Sequence, residues 1–208
     1  MPAGNSAALL AGALLLPGGQ LPLNVFEPRY LRMVDDALAS DRLIGMVQPR
    51  DDDMAHNPPL YGVGCAGRII SPSSRPMTVA TLITLGGRKR FRILREVEGD
   101  TPYRRAAVDW TAFPVDNGQD LSTEFIDRER LVRAMRLYLD AEGLKTDWTV
   151  VDDAPTEALV ASLSMGCPFA PNEKQALLEA ETTAARAECL IALMEMSGAG
   201  EGGEGAVQ

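Results

Sequence analysis

The chain has 208 residues, of which 46% are hydrophobic and 24% charged, and its formal net charge at pH 7 is −9. This length supports one substantial core or two small ones, and the composition is that of an ordinary soluble protein. The three cysteines have no CxxC spacing, which argues against a disulfide framework or a zinc site and predicts a reducing, cytoplasmic location.

The negative charge lies almost entirely in the second part of the chain. Residues 1–120 carry 13 Lys/Arg and 13 Asp/Glu, whereas residues 121–208 carry 7 and 16. This asymmetry coincides with a change in hydrophobic period, so it indicates a change of domain character.

An apolar run, Ala7 to Leu16, opens the chain. No Lys or Arg precedes Arg29, so the positive region of a signal peptide is missing. The run is also shorter than the roughly 20 apolar residues that span a bilayer. It therefore predicts a buried first strand.

The stretch Leu21–Leu38 combines a strand signal with a helix start. Period-two alternation over Leu21–Val25 predicts a strand with one buried face. Pro28 fits the first helical position, and Glu27 places a carboxylate at the positive end of the helix dipole. Five residues at helical spacing then form an apolar stripe: Tyr30, Met33, Val34, Ala37 and Leu38.

A buried strand at Leu43–Val47 is followed by a polar loop that carries Asp51–Asp53 and the sole histidine, His56. Consecutive carboxylates point in different directions and no EF-hand spacing follows, so we predict a solvated loop without a metal. His56 has no partner at catalytic spacing.

Tyr61–Ile70 is predicted to be a glycine-rich strand, and its glycines have the spacing GxGxxG. A dinucleotide site would need a helix at the third glycine, but strand and turn residues follow. Beyond a turn, Met77–Leu85 and Arg88–Val97 are predicted to pair as a hairpin closed by two glycines of positive φ, Gly86 and Gly87. Tyr103–Trp110 adds a last strand.

Seven basic residues concentrate around this hairpin: Arg88, Lys89, Arg90, Arg92, Arg95, Arg104 and Arg105. They could contact nucleic acid. Ion pairing with nearby carboxylates is the favoured interpretation, because this half is neutral overall and carries no exposed aromatic run for base stacking.

Helical periodicity predicts four helices in the second half, enough for a small bundle. The first runs from Phe125 to Gly143, the second begins at Asp153 and Pro155, the third at Asn172, and the last at Thr182 or Thr183. The predicted organisation is a β-rich domain over residues 1–115, a linker over 116–122, a helical subdomain over 123–197 and a disordered tail over 198–208.

Three segments resemble one known family. LPLNVFEPRYLRMV after LLLPGG, GGRKRFRI after ITL, and the run from Leu159 to Leu193 are similar to the N-terminal, substrate-recognition domain of Lon protease. In the last run, six residues fall at recognisable places: Lys174, Gln175, Leu177, Leu178, Glu179 and Arg186. The resemblance implies an α+β fold, with a PUA-like twisted β pseudo-barrel holding one helix and a small helical bundle after it.

Full-length Lon also has an ATPase and a serine–lysine peptidase module, but their signatures are missing here. The sequence has no GxxxxGK[ST] loop, and the contexts of its three lysines do not suggest the desolvated pocket that a lysine base requires. We therefore expect a stand-alone, non-catalytic member of the family, without cofactor or metal. A hydrolase that uses Cys167 or His56 is the weakest alternative.

The expected function is recognition of unfolded or client polypeptides, as an adaptor or regulator of proteolysis and with a Lon protease as a further partner. The candidate binding residues are Phe26, Pro28, Arg29, Tyr30 and Arg32. The favoured alternative for these residues is structural, with Phe26 and Tyr30 in the core and Glu27 paired with Arg29 in an internal ion pair. The alternative is an RNA-binding module that uses Arg88, Lys89, Arg90, Arg92 and Arg105, although the acidic helical half disfavours nucleic acid. No membrane contact is expected, and self-association is left open.

Overall fold

The computed structural model describes residues 6–50, 58–71, 81–118 and 120–200. The strands are β1 (Ser6–Ala11), β2 (Gln20–Val25), β3 (Leu43–Pro49), β4 (Leu60–Ser71), β5 (Thr81–Glu96) and β6 (Arg105–Asp109). The helices are α1 (Pro28–Leu38), α2 (Arg128–Ala141), α3 (Trp148–Asp153), α4 (Thr156–Gly166), α5 (Pro171–Glu179) and α6 (Thr183–Gly200). Short 3₁₀ helices span Pro114–Asn117 and Leu121–Phe125.

The six strands form one mixed sheet that closes on itself. Their order is β2-β5-β4-β3-β1-β6, and β6 also pairs with the far end of β5. The β1–β3 pair is parallel and the others are antiparallel. Closure leaves β2 outside the ring, paired along one side with the first half of β5. The predicted α+β class, a pseudo-barrel followed by helices, is confirmed.

The β2–α1 segment was predicted closely, because all its signals are local. β2 is a strand and α1 begins at Pro28 and ends at Leu38. Met33, Val34 and Ala37 are buried against the sheet, so the apolar stripe packs as expected.

Phe91 fills the closed part of the barrel. It is fully buried with small and branched neighbours and meets Trp110 edge-on, with 5.4 Å between ring centroids. A Cβ added at Gly45 or Gly64 would come within 2.9 Å or 2.7 Å of its ring. These glycines therefore make room for the aromatic side chain.

The hairpin predicted at Gly86–Gly87 is wrong. β5 runs through both glycines as one strand, and neither has a positive φ. The reason for glycine is close approach: Gly87 exchanges backbone hydrogen bonds with Gly18 and Gly19, at 3.1 Å and 2.8 Å, directly against the buried segment that ends in Leu16. The single 16-residue strand β5 can therefore pair with β2, β4 and β6.

The second half contains five described α-helices, one more than predicted. The additional helix is α3, whose N-cap Asp147 accepts a hydrogen bond from the Thr149 N–H at 3.0 Å. Phe125 was predicted to begin the first of these helices, but it ends a 3₁₀ helix and is 81% exposed. The predicted helix stop at Gly143 is confirmed by its φ of +64°. The predicted cap at Thr182 is also confirmed, because its hydroxyl accepts a hydrogen bond from the Ala185 N–H.

Arg90 ties the barrel to the helices. Its side chain is 1% exposed and forms a salt bridge of 2.9 Å with Asp116. The guanidinium also donates to carbonyl oxygens at and just after the end of α5, those of Leu178, Ala180 and Glu181. All five of its N–H donors therefore have acceptors.

A second polar bridge joins the same halves. The buried Gln48 amide on β3 donates to Gln175 Oε1 on α5 at 3.0 Å, and Gln175 donates to the Val63 carbonyl of β4 at 3.3 Å. Buried amides need such partners, so these bonds fix how α5 lies on the barrel. The domain boundaries remain a prediction; Asp116, within the predicted linker, is part of this interface.

Some sequence predictions fall on residues that the structure does not describe. Asp51–Asp53 and His56 lie outside the described residues, as do the turn before β5 and residues 201–208. The backbone of α6 continues to Gly200, two residues past the predicted start of the tail.

Asp120 should make stability depend on acid pH. It accepts hydrogen bonds from the Ser122 and Thr183 N–H groups at 3.0 Å and 2.7 Å. Burial alone raises its pKa, but these bonds outweigh it and lower the pKa from 3.8 to about 2. Because the folded pKa is the lower one, the ionised carboxylate stabilises the fold above about pH 4, and this contribution is lost as the pH falls to about 2.

Urea unfolding at a series of acid pH values would measure this. Asp120→Asn is expected to flatten the fall in unfolding free energy between about pH 4 and about pH 2. Asp140→Asn, which alters an exposed carboxylate on α2, is the control and should keep the wild-type slope. Equal slopes in all three proteins would contradict the assignment.

Candidate functional site

The junction of β2 and α1 presents an unpaired strand edge. β2 pairs with β5 and with no other strand of the described residues. Gly87 accepts a backbone hydrogen bond from Gly18 and donates one to Gly19, which extends the β2–β5 pairing. In this register the backbone N–H and C=O groups of Leu21, Leu23 and Val25 point toward β5. Pro22 and Asn24 therefore direct their backbone to the free edge, where the missing N–H of proline is tolerated.

Phe26 stands at the end of this edge and is 66% exposed. Asn24 on β2 is the cross-strand partner of the exposed Leu82 on β5. The side chains of Asn24 and Leu82 therefore share the outer face of the β2–β5 pair. Single exposed apolar side chains are common, but a phenylalanine beside an open strand edge is a feature of peptide-binding surfaces.

A groove of about 170 Å³ runs beside Phe26. One wall is the end of β2 with the start of α1, and the other is the end of β1 with part of β3. The lining residues are Leu10, Ala11, Gly12, Ala13, Leu23, Asn24, Val25, Phe26, Glu27, Tyr30 and Met46. Most of them are apolar, so the groove can accept an aliphatic or aromatic side chain.

The charged residues at the groove are tied to neighbours. Arg29 forms a salt bridge of 2.9 Å with Glu27 and lies 4.6 Å from the centre of the Tyr30 ring. Burial raises the pKa of Tyr30, so its hydroxyl stays neutral. Arg32 pairs with Asp36 at 3.0 Å, farther along α1.

Of the five residues predicted to bind polypeptide, Phe26 and Tyr30 line the groove. Pro28 and Arg29 belong to the same first turn of α1, while Arg32 is held by Asp36. Sequence reasoning missed the opposite wall, Leu10–Ala13 and Met46. No local signal connects those residues to β2, because the sheet brings them together only by pairing β1 with β3.

The basic cluster separates into members with different roles. Arg90 is buried, so it cannot be part of a surface that binds nucleic acid. Arg104 pairs with Glu96, as ion pairing predicted, and Arg105 donates to the Ser6 hydroxyl at 3.0 Å. Lys89 donates to Asn117. The exposed arginines that remain of the proposed nucleic-acid set are Arg88 and Arg92.

The cysteines have the properties of packed residues. Cys65 and Cys167 are buried, and burial raises the pKa of their thiols to about 12 and about 11. A nucleophilic cysteine needs a lowered pKa, so these environments do not activate a thiolate. The described residues contain no group of three or more His, Cys, Asp or Glu that could hold a metal ion. None of the described helices is long and apolar enough to cross a membrane.

Solved structures share this fold. The crystal structure of a Lon N-terminal domain protein from Xanthomonas campestris aligns with a TM-score of 0.63 over 90% of this chain and 97% of its own, at 22% identity. The N-terminal domain of Mycobacterium avium complex Lon protease gives the same TM-score over 91% and 98%, at 17% identity.

Curated relatives agree with this match. Lon protease 2 of Sorangium cellulosum is 27% identical over 195 residues, and Lon protease 2 of Myxococcus xanthus is 25% identical over 194. Each alignment covers 89% of this chain but only 24% and 22% of the relative. The chain thus spans about a quarter of their length. The family model for the ATP-dependent protease La (LON) substrate-binding domain matches residues 7–196, and the chain belongs to that family.

Proposed function

We propose that the chain is a non-catalytic recognition module that binds extended, apolar segments of unfolded polypeptides beside β2. The observation that carries the proposal is the exposed Phe26 at a groove beside an unpaired strand edge. Membership of a substrate-binding domain family supports the same function.

The edge of β2 and the groove would have different roles: the edge would bind the backbone of a client segment, and the groove would bind its side chains. A client segment that adds to β2 can bond the Asn24 N–H and the carbonyl oxygens of Pro22 and Asn24, whatever its own sequence. Its side chains that point inward would meet the groove, which favours an aliphatic or aromatic residue at one position. Such a site accepts many unfolded sequences and rejects folded proteins, whose apolar segments are already paired.

The proposed role in the cell is that of an adaptor or regulator of proteolysis in the cytoplasm. Lon protease 2 of Sorangium cellulosum and Lon protease 2 of Myxococcus xanthus each match this chain over about a quarter of their own length. We propose that it holds a polypeptide for a Lon-type ATPase and peptidase.

Phe26→Ser is expected to weaken binding of an unfolded polypeptide by about 2 kcal/mol, roughly thirtyfold, because buried aromatic anchors dominate such interfaces. Stability should change by less than about 0.5 kcal/mol, since the side chain is mostly exposed. Fluorescence anisotropy of labelled casein, titrated with each protein, measures the affinity.

Phe125→Ser is the matched control. It makes the same substitution at an even more exposed phenylalanine, on the 3₁₀ helix before α2. Its affinity for casein should equal that of the wild type. No binding by the wild-type protein, or equal losses in the two variants, would refute the site.

A further inference from the structure

A cavity of about 300 Å³ lies where the barrel meets the helices. The Pro17–Gly18 segment before β2 bounds it on the barrel side. On the other side it is bounded by α4, by the start of α6 and by the 3₁₀ helix Leu121–Phe125 with its N-cap Asp120. This cavity and the β2 groove share no lining residue, so a ligand here would leave the groove free.

Arg186 on α6 gives this cavity a buried cation. The residue is 5% exposed, and its Nε–H donates to the Leu177 carbonyl oxygen at 2.8 Å. Among the described residues its two terminal nitrogens have no hydrogen-bond acceptor, and its side chain forms no salt bridge. Burial, with a smaller contribution from Arg90, lowers the pKa of Arg186 to about 10, so the guanidinium keeps its charge at pH 7.

The terminal nitrogens of Arg186 remain accessible to a ligand. In the part of the chain that the structure describes, the fully enclosed side-chain nitrogen and oxygen atoms without a partner are the Trp110 Nε1 and the Ser164 Oγ, and no atom of Arg186 is among them. The unpaired nitrogens of Arg186 therefore keep accessible surface, and the residue lines the cavity. A guanidinium has five N–H donors, so several are left for an acceptor that enters.

Two carboxylates at the same cavity decide which charges a ligand should carry. Asp120 is occupied by the N–H groups of Ser122 and Thr183. Glu157, on the first turn of α4, is exposed and has no hydrogen bond or salt bridge within the described ranges. A simple anion would be repelled by both carboxylates, and a simple cation would be repelled by Arg186. A molecule that carries both charges can use Arg186 and Glu157 together.

The rest of the wall is mostly small and apolar. Pro17, Ala158 and Ala161 present hydrocarbon to the cavity. Ligand pockets usually measure about 300–1,000 Å³, so this volume suits a compact molecule. A short aliphatic group between or beside the two charges would match this wall.

We propose that this cavity binds a small zwitterion, with its carboxylate on Arg186 and its ammonium group beside Glu157. Two sources share this chemistry: a free aliphatic amino acid, and a short peptide with both ends free. The site goes beyond the proposed binding of unfolded polypeptides at β2 and does not depend on it.

The backbone amide signals of Gly18 and Thr183 in ¹⁵N NMR spectra of the full chain report on this cavity from its two sides. The probes are leucine, the dipeptide alanyl-leucine, N-acetylleucine, which has no ammonium group, and leucinamide, which has no carboxylate. Titration to about 30 mM covers the millimolar affinities expected for such small ligands.

Saturable shifts of both amide signals with leucine or alanyl-leucine are the expected result. Leucinamide should bind more than about tenfold more weakly, because it leaves the buried guanidinium without its anion. N-acetylleucine should bind at least about threefold more weakly, because it has no charge for Glu157. Tighter binding of leucine would identify free amino acids as the source, and tighter binding of alanyl-leucine would identify short peptides. No saturable shift with either zwitterion, or equal affinity for either blocked analogue, would overturn the proposal.

Glu157→Gln tests the ammonium position at an exposed residue, where the substitution should not disturb folding. It should weaken leucine binding about threefold and leave N-acetylleucine binding equal or tighter. Glu129→Gln, at an exposed carboxylate on α2, is the control and should bind both as wild type does. Equal leucine affinity in the Glu157→Gln protein and wild type would refute the assignment. Phe26→Ser should not alter leucine binding, so a failure of the β2 groove and a failure of this cavity are distinguishable.

Discussion

Replacing Arg90 with alanine is expected to lower the free energy of unfolding by about 3–5 kcal/mol, the cost of breaking a buried ion pair by removing one partner. Asp116, whose side chain is 5% exposed, would keep a buried charge without its guanidinium. The carbonyls of Leu178, Ala180 and Glu181 would lose a donor at the same time. Urea unfolding followed by circular dichroism measures the change.

Arg90→Lys tests whether charge alone suffices. An ammonium keeps the charge but has three donors on one atom, so it cannot reproduce the fork that serves Asp116 and three carbonyls. Its loss should fall between those of wild type and Arg90→Ala. Arg92→Ala removes an exposed arginine two residues along β5 and should cost less than about 0.5 kcal/mol. A loss below about 1 kcal/mol for Arg90→Ala would show that the junction is not held by this side chain.

The burial of Arg90 also shows where sequence reasoning reaches its limit. Alternation along β5 places Phe91 and Arg90 on opposite faces, and the structure agrees. Alternation does not say what covers the outer face, and an arginine in a strand is ordinarily solvated. Only the packing of α5 against the barrel turns Arg90 from a surface cation into an internal one.

The candidate site was likewise predictable where its signals are local and not where they depend on distant parts of the chain. β2 and α1 were predictable because their signals are a strand alternation, a proline at the first helical position and a helical stripe, each within a few residues. The exposure of Phe26 was not predicted, because core packing was the favoured interpretation of this side chain. The opposite wall of the groove was not, because Met46 lies 20 residues beyond Phe26 and reaches it only through sheet topology. Trp110 illustrates the same point, since the lack of a partner for its buried Nε1–H among the described residues follows from packing and not from its sequence neighbours.

Gly87→Ala is expected to destabilise the protein by about 3 kcal/mol, at the upper end of ordinary overpacking effects. An added Cβ would overlap the Leu16 carbonyl oxygen, which is backbone and cannot turn away, and would also crowd Leu15 at 3.3 Å. The sequence motif Gly86–Gly87 suggests a turn, in which both glycines would be needed for positive φ. The structure assigns the need for glycine to one of them.

The neighbouring Gly86→Ala decides between these interpretations within the same dipeptide. A Cβ there would lie 3.2 Å from the Cγ2 methyl of the exposed Ile70 side chain, which can shift by a few tenths of an ångström. Both alanines gain the same strand preference over glycine, about 0.5–1 kcal/mol, so that term cancels in the comparison. We expect Gly86→Ala to stay within about 1 kcal/mol of wild type in urea unfolding. Equal, large losses at both positions would instead favour a turn and remove the continuous β5 on which the closed sheet, and with it the free edge of β2, depends.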